Sequence, residues 1–121
     1  MAAKKNKTSF SARSASSTEC MIDVALVPYN VENGTFGDPV MIMRKICKPP
    51  YWGCGPYIFA NVSPGAYAVT LTPLPCSSSE TDPYYLRVTD DKFVKGTPTA
   101  SDLVHIGPAA QNYTVTADIE S

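Results

Sequence analysis

The chain has 121 residues, 10 basic and 11 acidic side chains, a net charge of −1 and 44% hydrophobic residues. This length predicts one domain, and the hydrophobic fraction excludes a wholly disordered chain. No apolar run approaches the roughly 20 residues that span a bilayer, so we expect no transmembrane helix. The near-zero net charge excludes a general polyanion binder. Eleven prolines and a single histidine argue against a helical protein and a histidine-rich metal site.

Residues 1–18 form a basic segment with no acidic side chain and a charge of +4, whereas the rest of the chain has six basic and eleven acidic side chains, a net charge of −5. The segment has one large apolar residue, so it cannot bury enough surface to fold alone. We predict an extended N-terminal arm over 1–18 and a folded domain over 19–121. No apolar stretch follows the basic residues, so we expect no secretory signal, although the composition loosely suits a transit peptide. The arm residues expected to bind a partner are Lys4, Lys5, Lys7, Phe10 and Arg13.

The first part of the domain has the period of two that is typical of strands. Residues 21–29 and 39–47 are the two predicted strands, and Asn33-Gly34 between them is a strong signal for a tight hairpin turn. A turn centred there makes the numbers of opposed residues sum to 67. This register places Leu26 opposite Met41, Val24 opposite Met43 and Cys20 opposite Cys47, and a bulge would shift it.

The rest of the chain continues as short strands separated by turns rich in proline, glycine and aspartate. We expect a second hairpin over 84–95 that turns at Asp90-Asp91 and sets Val88 across from Phe93. The other predicted strands are 57–59, 66–71, 103–106 and 112–119. The chain is therefore expected to be an all-β protein, a single β-sandwich of about seven or eight short antiparallel strands.

The segment GPYIFANVSPGAYAVTLTP resembles a pattern of the carboxypeptidase regulatory-like, or prealbumin-like, superfamily. About 20 residues carry the resemblance, and the matching positions are Gly55, Tyr57, Phe59, Val62, Pro64, Gly65, Tyr67 and Val69. The resemblance implies an Ig-like, prealbumin-like β-sandwich, with two aromatic-bearing strands forming a hairpin around a proline-glycine turn. Domains of this superfamily are binding, adhesive or structural modules and also occur on phage virion proteins. The chain departs from the pattern by a cysteine-flanked proline loop before the hairpin.

The four cysteines, Cys20, Cys47, Cys54 and Cys76, allow three disulfide connectivities. The predicted register favours Cys20–Cys47, which leaves Cys54–Cys76, and closure of the KPPYWG loop by Cys47–Cys54 is the main competitor. Buried free thiols are a further alternative because cytosolic thiols stay reduced. A four-cysteine zinc site is less favoured, because six residues separate the closest pair.

The other candidate residues have simpler structural explanations. His105 lies on a short predicted strand, and no G-x-S-x-G motif surrounds a serine partner. Asp90 and Asp91 suit a hairpin tip. Tyr51 and Trp52 lie in a Pro/Gly loop, where aromatic residues either contact a ligand or partner or cover one end of the sandwich.

No phosphate-binding loop, dinucleotide motif or metal-ligand cluster is present, so we expect a non-enzymatic protein without a cofactor. A small all-β chain with a basic arm suits a virion structural protein, a capsid decoration (cement) or minor subunit. Its arm and one sandwich edge would bind major capsid or other assembly subunits, with several copies in the assembly. We expect no membrane partner, and no nucleic acid because four charges bind it weakly at physiological salt. The expected location is the virion, after synthesis in the host cytoplasm. The alternative is a cell-surface or secreted module that binds carbohydrate or protein.

Overall fold

A computed structural model describes residues 20–76 and 82–120, and within these ranges the protein is all-β. Ten strands form a sheet of eight strands and a sheet of two. No helix in these ranges is long and apolar enough to cross a membrane. The strands are β1 (Met21–Asn30), β2 (Thr35–Phe36), β3 (Met41–Ile46), β4 (Tyr57–Val62), β5 (Gly65–Pro73), β6 (Tyr84–Arg87), β7 (Lys92–Lys95), β8 (Val104–Ile106), β9 (Gln111–Val115) and β10 (Asp118–Ile119).

The larger sheet is built around the antiparallel pair β1 and β5, which is in register from Ile22↔Pro73 to Pro28↔Tyr67. Both β2 and β3 pair with β1, whereas β6 and β8 pair with β5. Beyond β6 lie β7 and then β10, and β10 runs parallel to β7. The smaller sheet is the antiparallel pair β4 and β9. The expected number of strands was too low, and the expectation that all would be antiparallel was wrong at β10.

The core lies between the two sheets, because alternate residues of both point into one apolar cluster. Ile22, Val24 and Leu26 of β1 are fully buried. The ring of Tyr57 on the smaller sheet meets the ring of Phe93 on the larger sheet edge-on, with centroids 6.2 Å apart. Burial of each large apolar side chain contributes about 1.5–3 kcal/mol. The arrangement is compatible with a β-sandwich. Other core residues are Phe59, Val62, Val69, Leu71, Leu86, Val115 and Ile119.

The predicted register between β1 and β3 is confirmed, but the turn that was thought to set it is different. Leu26 lies opposite Met41, and Val24 opposite Met43. The connection is a four-residue loop, because Asn30 pairs with Thr35 and the Asn30 side chain accepts hydrogen bonds from the Glu32 and Asn33 amides. This longer loop shifts the pairing of β1 with the returning chain, and an irregular stretch at 38–40 shifts it back. The register of β1 with β3 is therefore the one that a two-residue turn at Asn33-Gly34 would give.

The hairpin expected around Pro64-Gly65 is wrong. β4 and β5 do not pair with each other, since β4 belongs to the smaller sheet and β5 to the larger. The Ser63-Pro64 connection instead carries the chain across the core, where the Tyr67 hydroxyl donates a 2.6 Å hydrogen bond to the Ser63 carbonyl. The apolar alternation did predict the two strands β4 and β5, but these strands face each other across the core and do not pair side by side.

Two further expectations need correction. The hairpin of β6 and β7 sets Leu86, not Val88, opposite Phe93, because the turn over Val88–Asp91 is longer than a two-residue turn. The predicted closing strand 112–119 is broken between β9 and β10, which lie in different sheets. In both places the alternation predicted strands correctly but not their partners.

Candidate functional site

The cysteines form two disulfides, with a connectivity that the register argument did not favour. Cys20 is bonded to Cys76, with Cα atoms 5.6 Å apart, and Cys47 is bonded to Cys54, with Cα atoms 5.8 Å apart. Cys20 does lie opposite Cys47, since the Cys47 amide donates to the Cys20 carbonyl. Side chains stand further apart in such a hydrogen-bonded pair than in the alternate pairs of an antiparallel ladder. Cys20 instead bonds to Cys76, which follows β5. The alternative in which Cys47 and Cys54 close the loop between them is the one observed.

The segment from Cys47 to Cys54, here called the clamped loop, separates its two aromatic residues. Tyr51 is 2% exposed with a φ of 72°, whereas Trp52 is 55% exposed. The Gly53 amide donates a 3.0 Å hydrogen bond to the Asp118 carboxylate, which fastens the loop to β10. Tyr51 therefore covers one end of the core, whereas the Trp52 side chain is exposed to solvent.

An open depression of about 420 Å³ lies beside the clamped loop, lined by Pro49, Pro50, Tyr51 and Tyr84. The Tyr51 hydroxyl is buried and has no hydrogen-bond partner among the described residues. A buried unpaired hydroxyl is unusual, because it loses its bonds to water without replacement. The depression is the best candidate ligand site that the clamped loop offers.

Strand β3 is the most exposed apolar edge of the larger sheet. It pairs with β1 on one side, and the described strands provide no neighbour on its other side. Ile42 and Ile46 are each 60% exposed, and Val40 just before the strand is 57% exposed. Ile42 and Ile46 lie on the outer face, which we define as the face of the larger sheet turned away from the smaller sheet. A long apolar edge of this kind is a template for pairing with another strand.

The two cations of β3, Arg44 and Lys45, do not protect this edge from association, because both are bound by groups of the same molecule. The Arg44 Nε and Nη2 donate to the Asp23 carboxylate on β1 at 2.8 and 3.1 Å. This hydrogen bond holds the pKa of Asp23 below its ordinary value. The Lys45 ammonium donates to the carbonyls of Cys54 and Pro56 at 2.9 and 3.1 Å and lies 5.3 Å from the ring centroid of Tyr57.

The outer face continues from β3 as a row of uncharged residues. The register places Ile42 beside Ala25, Ala25 beside Thr70, Thr70 beside Tyr85, and Tyr85 beside Val94. Charges return at the far end, where Arg87 pairs with Asp90 and Glu120. The row is uncharged, but Ala25 and Val94 within it are buried, so the exposed apolar surface is concentrated at Ile42 and Ile46.

The remaining candidates do not come together as a reactive site. His105 is exposed on β8 opposite Ala66. Asp90 is held by Arg87, and Asp91 has a φ of 54° in the turn. In the described ranges, no group of three or more His, Cys, Asp or Glu side chains is arranged to hold a metal ion.

The arm residues Lys4, Lys5, Lys7, Phe10 and Arg13 lie outside the described residues. The predicted binding edge of the sandwich was not assigned to a particular strand, and Ile42 and Ile46 were not among the predicted site residues. A signal was present, because Met41 and Met43 fill one face of the strand while these isoleucines fill the other. A strand that is apolar on both faces, although only one meets the core, has surface left for a partner.

A scan of family models finds no match to this sequence, and searches of curated proteins and of solved structures find no similar chain. The resemblance over 55–69 therefore stays a prediction, although five of its positions, Tyr57, Phe59, Val62, Tyr67 and Val69, are core residues.

Proposed function

We propose that this protein is a non-enzymatic structural subunit of a phage or viral particle, acting as a capsid decoration (cement) or minor subunit. It binds neighbouring assembly subunits through a sheet edge and its N-terminal arm. The observation that carries the proposal is the β3 edge, which presents two isoleucines at 60% exposure beside an arginine that is already paired with Asp23. Edges of natural sheets are ordinarily protected by free charges, prolines or short length.

The physical basis of binding is strand pairing combined with apolar burial. Completing the burial of each exposed isoleucine contributes about 1–2 kcal/mol, and backbone hydrogen bonds at the edge fix the orientation. A stable interface needs about 800 Å² from each partner, which exceeds one strand. The arm supplies additional contacts, and many copies in a shell multiply a modest affinity.

Limited proteolysis with mass spectrometry tests the proposal on the purified chain and on particles from its native source. We expect trypsin to cut at Lys4, Lys5, Lys7 and Arg13 in the free chain and to leave these sites intact in particles. A chain lacking residues 2–18 and an Ile42→Lys variant should both lose particle occupancy. Equal cleavage in both settings, together with unchanged occupancy of both variants, would refute the proposal.

A second candidate function is a secreted or cell-surface module that binds carbohydrate or protein through the clamped loop. It is favoured by the exposed Trp52, by the 420 Å³ depression lined by Pro49, Pro50, Tyr51 and Tyr84, and by the two disulfides, which are typical of oxidising compartments. Tryptophan is a frequent anchor in binding interfaces. Screening a glycan array with the native chain and a Trp52→Ala variant tests this candidate, which predicts binding that the substitution abolishes.

A further inference from the structure

The backbone of β3 has polar groups that are directed away from β1. Hydrogen bonds in an antiparallel ladder alternate, so every second residue of an edge strand faces outward. The Cys47 amide donates to Cys20 at 2.7 Å, and on the other side of β1 the Leu74 amide donates to Met21 at 2.9 Å. With this phase, the odd-numbered residues of β3 bond to β1. Ile42, Arg44 and Ile46 therefore turn their N–H and C=O groups toward the open edge.

The same three residues present their side chains on the outer face, and their order is symmetric about Arg44. An isoleucine stands two residues before it and another two residues after it, both 60% exposed. A two-fold axis through Arg44 sets each Ile42 against Ile46 of the other molecule, as an isologous contact requires. Directly opposed residues of antiparallel strands share a face, so this register keeps both outer faces on the same side.

We propose that β3 pairs antiparallel with β3 of a second copy of this chain, which joins two larger sheets into one. This inference rests on the proposed structural role and names one partner of the edge. Three opposed pairs, Ile42 with Ile46, Arg44 with Arg44 and Ile46 with Ile42, form about six backbone hydrogen bonds. The four isoleucines form two apolar contacts on the outer face.

The charges permit this pairing because each Arg44 brings its own counter-ion. Its guanidinium is drawn toward Asp23 on β1, away from the axis, in a two-point contact at 2.8 and 3.1 Å. The opposed arginines therefore meet as two neutral ion pairs. Lys45 is turned to the other side of the strand and holds the carbonyls of Cys54 and Pro56.

A second copy fits this edge better than the N-terminal arm does. A strand that adds to β3 should carry apolar residues two positions from its centre in both directions, to meet Ile42 and Ile46. Residues 1–19 have a single large apolar residue after Met1, Phe10, so they cannot supply both apolar positions. The rest of the chain has a net charge of −5, which makes it the better electrostatic match for the basic arm.

Sedimentation velocity on the full chain, over a concentration series, tests this pairing. We expect the native chain to dimerise reversibly, and Ile42→Lys to weaken dimerisation by roughly tenfold or more, because the dimer buries the new charge twice. Ile58→Lys is the matched control, since Ile58 lies on the smaller sheet and is 52% exposed. It should leave dimerisation unchanged, and circular dichroism should show that both variants are folded.

A double variant tests the register itself. Ile46→Glu alone should weaken the dimer as Ile42→Lys does. The two substitutions together place opposite charges against each other twice across the axis, so dimerisation should recover toward the native value. Positions 42 and 46 are about 13 Å apart along one strand, so a contact within one molecule does not explain recovery.

Several outcomes would overturn the inference. These are a native chain that stays monomeric, Ile42→Lys and Ile58→Lys weakening the dimer equally, a double variant without recovery, or loss of the dimer only on deletion of residues 2–18. A monomer that is nevertheless incorporated into particles defeats the pairing and leaves the proposed function standing. A dimer that depends on Ile42 but occurs in no particle defeats the function and leaves the pairing standing.

Discussion

Replacing Tyr51 with phenylalanine should stabilise this protein, although most substitutions in a core destabilise. Tyr51 is 2% exposed, and its hydroxyl is a buried polar atom without a hydrogen-bond partner in the described ranges. In the unfolded chain the hydroxyl is hydrated, so folding loses that hydration without recovery. Tyr51→Phe removes the hydroxyl and keeps the ring that closes this end of the core.

The magnitude follows from two opposed contributions. An unpaired buried hydroxyl costs about 1–3 kcal/mol of folding free energy. Its removal leaves a gap of one oxygen atom, which forfeits a few contacts worth about 0.1–0.2 kcal/mol each. The free energy of unfolding should therefore rise by about 1 kcal/mol, and the midpoint temperature by about 4 °C for a domain of this size.

Tyr67→Phe is the matched control, because the chemical change is the same and the partner differs. The Tyr67 hydroxyl donates a 2.6 Å hydrogen bond to the Ser63 carbonyl, and the side chain is 6% exposed. Loss of that bond leaves the Ser63 carbonyl without this donor and should lower the free energy of unfolding by about 1 kcal/mol. Two tyrosine-to-phenylalanine changes in one core should thus have opposite signs.

Urea unfolding followed by fluorescence measures both variants beside the native chain. The midpoint should move up for Tyr51→Phe and down for Tyr67→Phe, with an unchanged slope that shows the comparison to be of folded stability. A loss for Tyr51→Phe as large as that for Tyr67→Phe would refute the reasoning, since it would mean that the Tyr51 hydroxyl is bonded in solution.

Three further predictions concern titration and the disulfides. Burial and the nearby Asp118 raise the Tyr57 pKa to about 12, so the free energy of unfolding should fall by up to about 3 kcal/mol between pH 10 and pH 12. In an alkaline unfolding series, a Tyr57→Phe variant should lack this loss. The pKa of Asp23 is lowered, so this residue affects stability at acid pH instead. Its contribution to the free energy of unfolding is present above the ordinary aspartate pKa and is lost as pH falls below about 4, and acid unfolding of Asp23→Asn beside the native chain measures this loss. The Cys20–Cys76 disulfide spans 56 residues and the Cys47–Cys54 disulfide spans 7. In chemical unfolding, replacing both cysteines by alanine should lower the free energy of unfolding by about 4 kcal/mol for the first disulfide and about 2.5 kcal/mol for the second, because the longer loop is costlier to close, and an equal loss would contradict this argument.

The sequence predicted the strands well because their alternation is a local property. Residues 21–29 and 39–47 were recognised from their period of two, and Leu26 does lie opposite Met41. The turn was not predictable to the same degree. A side-chain oxygen of Asn30 competes for the amides of the loop, and the irregular stretch at 38–40 then restores the register. Nothing in the local pattern reports such a compensation.

The partners of the strands were less predictable, because alternation identifies the face of a strand and not the sheet that it joins. β4 and β5 both alternate and are separated by Ser63-Pro64, which is also the pattern of a hairpin. Here each strand places its aromatic residues in the same core from opposite sides. The cysteine pairing failed for a related reason. The register placed Cys20 beside Cys47 correctly, but it carried no information about β5 on the other side of β1.

The candidate site shows most clearly what the sequence leaves out. In the sequence, Arg44-Lys45 within MIMRKI is typical of the charges that protect an edge strand from association. Their protective effect depends on free charge at the edge, and the structure commits both charges elsewhere. Asp23 lies 21 residues away from Arg44 in the chain, and the carbonyls that bind Lys45 belong to the last residue of the clamped loop, Cys54, and to Pro56 just after it. A pair of cations that is typical of a protected edge is therefore compatible with an adhesive one, because Asp23 neutralises Arg44 and backbone carbonyls hold Lys45 on the other side of the strand.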